Sequence, residues 1–181
     1  MRLEDLAALH GTDKLTHGYM PHYQHHLGHL ENEPISLLEV GVQTGVSLRM
    51  WQAFFRRGLI TGVDIDPVCA NLDLGERVRV VIADVKQFHP SGTFDIIVDD
   101  GSHLAVDIRG AVAALWGSLR PGGWYVIEDW QVQFDPSYGG GPEGSVATDM
   151  ARHWLYRLLG DQRGPMTEMH VYPKIVFARK A

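Results

Sequence analysis

One cysteine, Cys69, occurs in 181 residues. A lone thiol excludes an intrachain disulfide framework, so an apolar core must hold the fold, and a reducing compartment is expected. Long apolar runs are missing, and the N-terminal M-R-L-E-D-L has no apolar signal core. A cytoplasmic protein with no membrane partner is therefore expected. Positive charge is not in excess either: the formal net charge is −6, which argues against nucleic acid as a partner. The glycine loop after the first apolar strand run, Glu39–Gly45, lacks the G-x-G-x-x-G spacing of dinucleotide binders, which disfavours a nicotinamide dehydrogenase. No repeat or low-complexity tract is present apart from a glycine cluster near Gly139.

What is present is a regular alternation. The length suits one domain, residues 1–181, with its own core. Leucines at 3, 6 and 9 give Arg2–His10 a helical spacing, and residues 20–30 look helical too. Together residues 1–34 read as an N-terminal helical cap. Apolar runs predict strands at Ser36–Val40, Leu59–Val63, Val78–Ala83, Phe94–Val98 and Trp124–Ile127. Helices are expected over Ser47–Phe55, around Val68–Leu74, and over Val106–Leu119, the last closed by Arg120-Pro121-Gly122-Gly123. Asp135–Gly144 reads as a loop or lid and Val146–Leu159 as the last helix. Met166–Tyr172 and Ile175–Lys180 read as a hairpin turning at Pro173-Lys174. Strands alternating with helices predict an α/β, doubly wound, Rossmann-like fold: a mostly parallel seven-stranded sheet with an antiparallel C-terminal hairpin.

The strand ends carry the chemistry. Phe94–His103 reads F-D-I-I-V-D-D-G-S-H: a buried run that stops at two carboxylates and a turn glycine. Each of the five early strands ends on or near an acid: Glu39, Asp64, Asp84, Asp99/Asp100 and Glu128/Asp129. Open α/β sheets bind ligands at these ends. A single such acid is a helix cap or a solvated loop group; five at matching positions predict a ligand rim. Glu39-Val-Gly-Val-Gln-Thr-Gly45 is a glycine loop between strand and helix, where Gly41 and Gly45 let the backbone approach a ligand and the helix N-terminus offers free N–H groups. Six of the ten histidines lie between His10 and His29, and His22/His26 and His25/His29 have a zinc-like spacing. No cysteine or close carboxylate completes a site, so an exposed polar face is the better reading.

The loop spacing resembles motif I of class I S-adenosylmethionine-dependent methyltransferases. That resemblance implies S-adenosylmethionine as cofactor, held by Glu39, Gly41, Gly45 and Ser47, with Asp64 receiving the ribose hydroxyls and Asp84 the adenine amino group. Further segments narrow it. G-T-D-K…H-G-Y…Y, L-L-E-V-G-V-Q-T-G-V-S-L-R-M-W, G-V-D-I-D-P, D-I-I-V-D-D-G-S-H, L-R-P-G-G-W-Y-V-I-E-D and Y-G-G-G together resemble the macrocin- and mycinamicin-type (rhamnosyl) sugar O-methyltransferases, from about Gly11 to the cluster near Gly139. In that family the acid three before the histidine and the E-D pair bind Mg²⁺, and the histidine is the proposed general base. By position these are Asp100, Glu128 and Asp129 for the metal, Mg²⁺ or Mn²⁺, and His103 for the base. The N-terminal motif implies Lys14, Tyr19 and Tyr23 near the methionine part of the cofactor, and Asp99 also falls on the cofactor side. Two departures stand out: A-D-V replaces the usual G-D-Q after the third strand, and E-D-W-Q-V-Q-F replaces E-D-L-H-T-S-Y.

The residue chemistry agrees with this reading. A sugar hydroxyl is too weakly acidic to attack at neutral pH, and a hard cation binding a vicinal diol makes it more acidic. Three carboxylates suit Mg²⁺ or Mn²⁺, and a histidine beside them can take the proton. The alternatives for these residues are a helix-start role for His103 and cap or cofactor contacts without metal for Glu128 and Asp129. The expected function is metal-dependent O-methylation of a sugar or other diol-bearing natural product. The alternatives are a catechol-type O-methyltransferase and a cofactor-binding protein without transfer. A small-molecule acceptor is the expected partner. Trp116, Trp124, Trp130 and Trp154 in a small domain suggest a homodimer.

Overall fold

A computed structural model of the protein describes residues 1–139, 152–157, 159 and 166–181. The chain divides into two units, Met1–Asp84 and Val85–Ala181.

In the first unit, helices α1 (Leu3–His10) and α2 (Met20–Leu27) precede strand β1 (Ser36–Val40), helix α3 (Val46–Phe54), and strands β2 (Leu59–Asp64) and β3 (Val78–Ile82). β1 pairs parallel with β2 and β2 with β3, so all three carboxyl ends share one edge. The leucines that gave α1 its spacing bury Leu3 and Leu6 and leave Leu9 exposed. Tyr23 of α2 packs edge-on against Trp51 of α3, ring centres 4.9 Å apart, and both are fully buried. The carbonyls that end α3 lack helical partners. Arg77 supplies them: its guanidinium donates to the carbonyls of Gln52, Phe55 and Gly58 at 2.6–2.8 Å. Around Val68–Leu74 only a 3₁₀ turn forms, Pro67–Asn71, capped by Asp66, whose Oδ1 accepts the Val68 N–H at 2.9 Å. The histidine stretch is not wholly a polar face, because His26 is buried. Among the described residues none of its histidines joins a group of three possible metal ligands.

In the second unit, β4 (Phe94–Asp99), α4 (Ala105–Leu115), β5 (Leu119–Glu128), β6 (Met166–Val171) and β7 (Ile175–Lys180) follow in sequence. β4 and β5 are parallel, while β7 is antiparallel to both β5 and β6. The seven strands are ordered β3-β2-β1-β4-β5-β7-β6, the mostly parallel sheet with an antiparallel C-terminal pair that the apolar pattern predicts. Two boundaries differ by several residues. The helix expected to reach Leu119 stops at Leu115 and tightens into a 3₁₀ turn, Trp116–Ser118. Lys180 caps this end, its Nζ donating to the carbonyls of Trp116 and Leu119. Arg120–Gly123 lies inside β5 rather than before it, as an irregularity in the ladder between Phe94 and Ile96. Gly122 takes φ +77°, and a Cβ at Gly123 would come within 2.7 Å of the Asp95 carbonyl oxygen, so only glycines fit the bulge.

The tryptophans find partners inside this unit. Trp116 lies against Tyr125 and Trp154, Trp124 against Phe177, and Trp130 Nε1 donates to the Tyr172 carbonyl at 3.2 Å. Residues 152–157 are helical; the other parts of the expected Val146–Leu159 helix, except Leu159, and of the Asp135–Gly144 loop beyond Gly139, lie outside the described residues. Among the described residues no helix is long and apolar enough to cross a membrane.

Candidate active site

Non-glycine residues seldom adopt left-handed backbone conformations, and those that do gather where function holds the chain under strain. Among the described residues three do so: Gln43 (φ +49°), His103 (φ +58°) and Asp129 (φ +50°). They occupy the loops that leave β1, β4 and β5.

The β1 loop lies in the first unit. Glu39, at 0% exposure, accepts a hydrogen bond from Ser47 Oγ at 2.9 Å and pairs with Lys14 Nζ at 3.1 Å. Gly45 begins α3 at φ +74°, and a Cβ there would press within 2.6 Å of Leu74 Cδ2, so the loop accepts no side chain at this point. Asp64, at the end of β2, holds the same loop. Its Oδ2 accepts the N–H groups of Val42 (2.7 Å) and Gln43 (3.1 Å), and its Oδ1 accepts that of Asp66 (2.9 Å). Burial alone would raise its pKa, but these backbone donors outweigh it and hold Asp64 below the usual carboxylate range. The structure thus brings Lys14, Glu39, Gly41, Gly45, Ser47 and Asp64 into one loop assembly and gives Asp64 a job within the protein. Tyr19 and Tyr23 are buried, Tyr23 in the core. Asp84 stands half-buried just beyond β3.

The acid–histidine set lies in the second unit. The parallel register pairs Asp99 of β4 with Ile127 of β5, so Asp100 and Glu128 are the next residues out. Asp100, His103 and Asp129 each bring a possible ligand atom within 4.8 Å of the others, and a Glu128 oxygen lies within the same distance of one on Asp100. Asp100 is thus the common member. Glu128 is buried and Asp100, His103 and Asp129 are partly exposed. Asp100 thus has a second carboxylate close by on either side, and such neighbours repel unless a cation or a proton intervenes; oxygen donors with one imidazole fit a hard divalent ion. Asp99 points elsewhere: at 4% exposure it faces the Tyr125 hydroxyl, 3.5 Å from its Oδ2. Burial pushes Asp99 up to about 7, with the neighbouring Asp100 charge adding to it.

Two residues outside the expected set secure these loops. Asp107, in the first turn of α4, accepts from Ser102 Oγ at 2.7 Å and pairs with Lys86. Ser102 Oγ in turn accepts the Leu104 N–H at 3.3 Å, so His103 is clamped on both sides. The Lys86 bond, then that from Ser102, hold Asp107 below its ordinary pKa. Gln131 Nε2 donates to Asp129 Oδ1 at 3.0 Å. The only sequence signals were an acid four residues past His103 and the departure from the usual E-D-L-H pattern.

Residues 38–130 match the family model described as a methyltransferase domain. The chain belongs to this methyltransferase family. It is 32% identical to 8-demethyl-8-alpha-L-rhamnosyl tetracenomycin-C 2'-O-methyltransferase of Streptomyces olivaceus, over 98% of this chain and 54% of that protein. It is 37% identical to mycinamicin VI 2''-O-methyltransferase of Micromonospora griseorubida, over 98% of this chain and 52% of that one. Among solved structures it resembles the MycE methyltransferase in complex with Mg, SAH and mycinamycin VI. That TM-score is 0.88 at 31% identity, covering 100% of this chain and 55% of the other. The chain spans about half the length of the curated relatives it matches.

Proposed function

We propose that this methyltransferase moves the methyl group of S-adenosylmethionine to a hydroxyl of a sugar, or of another diol-bearing natural product, with the help of Mg²⁺ or Mn²⁺. The observation that carries the reading is the gathering of His103, Glu128 and Asp129 around Asp100. The likeness to sugar O-methyltransferases and to a Mg-containing complex supports it.

Asp100, Glu128 and Asp129 would hold the cation, which when bound supplies Lewis acidity to an acceptor hydroxyl. His103 takes the hydroxyl proton on a ring nitrogen as the oxygen attacks the methyl carbon. The carbon–sulfur bond breaks, its electron pair stays on sulfur, and S-adenosylhomocysteine leaves. The glycine loop tied by Asp64 orients the methyl donor; in-line placement is the main rate contribution open to such a site. Lys14, Glu39 and Ser47 set the loop's floor, and Asp84 offers an acceptor toward the adenine side.

The test is transfer of labelled methyl to a panel of rhamnosides, other glycosides and catechols, after exhaustive chelation and again after adding Mg²⁺. Chelation should abolish transfer and Mg²⁺ restore it, with cofactor affinity nearly unchanged. Full activity in the chelated enzyme would end the metal reading, and transfer to catechols alone would end the sugar reading.

A further inference from the structure

Gln131 makes one hydrogen bond at the expense of another. A carboxylate only accepts, so the Gln131 amide must turn its nitrogen toward Asp129, to which Nε2 donates at 3.0 Å. This choice commits the other branch of the amide. Gln131 Oε1 is buried and, among the described residues, has no hydrogen-bond donor. Buried amide oxygens are nearly always paired, and leaving one unpaired destabilises the fold. A side chain selected for stability would not sit this way, whereas functional sites are where local rules are broken. What Gln131 gains is control of Asp129, whose backbone is itself left-handed at φ +50°.

Resting on the metal-dependent reading above, we propose that Gln131 is a positioning residue that turns the Asp129 carboxylate toward the cation held with Asp100. The partner that orients a ligating carboxylate typically accounts for about 10–100-fold in metal affinity. The amide does this without adding charge, unlike a lysine, which would compete with the cation.

The experiment compares the full chain with Gln131→Met and Gln131→His, titrating Mn²⁺ by electron paramagnetic resonance without an acceptor. Thermal unfolding is measured in chelator. Methionine matches glutamine in length but has no amide. It should weaken Mn²⁺ by about 10–100-fold while the metal-free unfolding temperature stays level or rises, because an unpaired buried acceptor is gone. Histidine can donate one N–H, and should recover most of the affinity. Mn²⁺ bound by Gln131→Met as by the parent would overturn the inference, as would a lower metal-free unfolding temperature in that variant, which marks a structural role. If Gln131→Met fails to fold, Gln131→Leu, which also lacks a donor, takes its place: weakened Mn²⁺ binding in the folded variant supports positioning, and affinity equal to the parent's refutes it. A parent that binds no Mn²⁺ instead refutes the metal-dependent reading itself.

Discussion

Lys14 and Glu39 face each other 3.1 Å apart with almost no contact with water, at 1% and 0% side-chain exposure. Lys14 comes from the N-terminal G-T-D-K segment and Glu39 from β1, so the pair ties the helical cap to the strand that feeds the glycine loop. Removing one partner of a buried pair strands the other charge, which costs about 3–5 kcal/mol. Lys14→Met should therefore lower unfolding stability by about that amount in urea titrations. Lys14→Met with Glu39→Gln should recover part of it. A single variant as stable as the parent would show the pair to be energetically idle.

Asp64 binds the loop before it binds any ligand. Three backbone N–H groups converge on its carboxylate. Asp64→Ala should weaken S-adenosylmethionine by about 1–3 kcal/mol in calorimetry, and the Val42 and Gln43 amides should exchange hydrogen faster in the variant without ligand. Loss of affinity with no change in those amides would assign Asp64 to the ligand alone.

The raised pKa of Asp99 makes stability depend on pH. Its carboxyl has an ordinary value of 3.8 when unfolded and about 7 when folded. Between these values the folded chain holds a proton that the unfolded chain has lost. Asp99 therefore contributes stability below the lower value and loses it as pH rises toward the upper one. Asp99→Asn, which mimics the protonated form, should unfold at a higher temperature than the parent at pH 8, with the gap closing toward pH 5. A gap independent of pH would refute this.

Asp107 holds the turn that presents His103 through Ser102 and Lys86. Asp107→Ala should lower kcat about tenfold or more, since small misplacements of a reacting group are costly, with the cofactor's KM unchanged. Equal kcat in parent and variant would show that the clamp is not needed.

Much of this architecture was legible because burial leaves a period in the chain. Leu37, Leu38 and Val40 mark β1, interrupted only by Glu39, and Ile96, Ile97 and Val98 mark β4 as an unbroken apolar run. The acids that stop those runs fall where the strands emerge, so their order marks a rim of carboxylates, while the grouping of Asp100, Glu128 and Asp129 with His103 came from the family resemblance. Arg120–Gly123 was misleading because proline and glycine look like punctuation, whereas here they make a bulge inside β5. The partners of Asp64 lie some 22 residues back in the sequence, at Val42 and Gln43, and no local pattern announces them. Asp107 and Gln131 were missed for a related reason: a side chain that acts by holding another has no residue type of its own.

β7 comes last of the seven strands yet lies between β5 and β6. The chain from Asp129 to Pro165 thus joins β5 to β6, two strands that both hydrogen-bond to β7 and are fixed by it. Lengthening such a connection by half adds only about 0.4 kcal/mol of closure entropy. Clear of Asp129 and Gln131, new sequence can therefore be spliced into this connection with little penalty to the sheet. The same gap is a natural place for protein engineers to transplant segments between relatives.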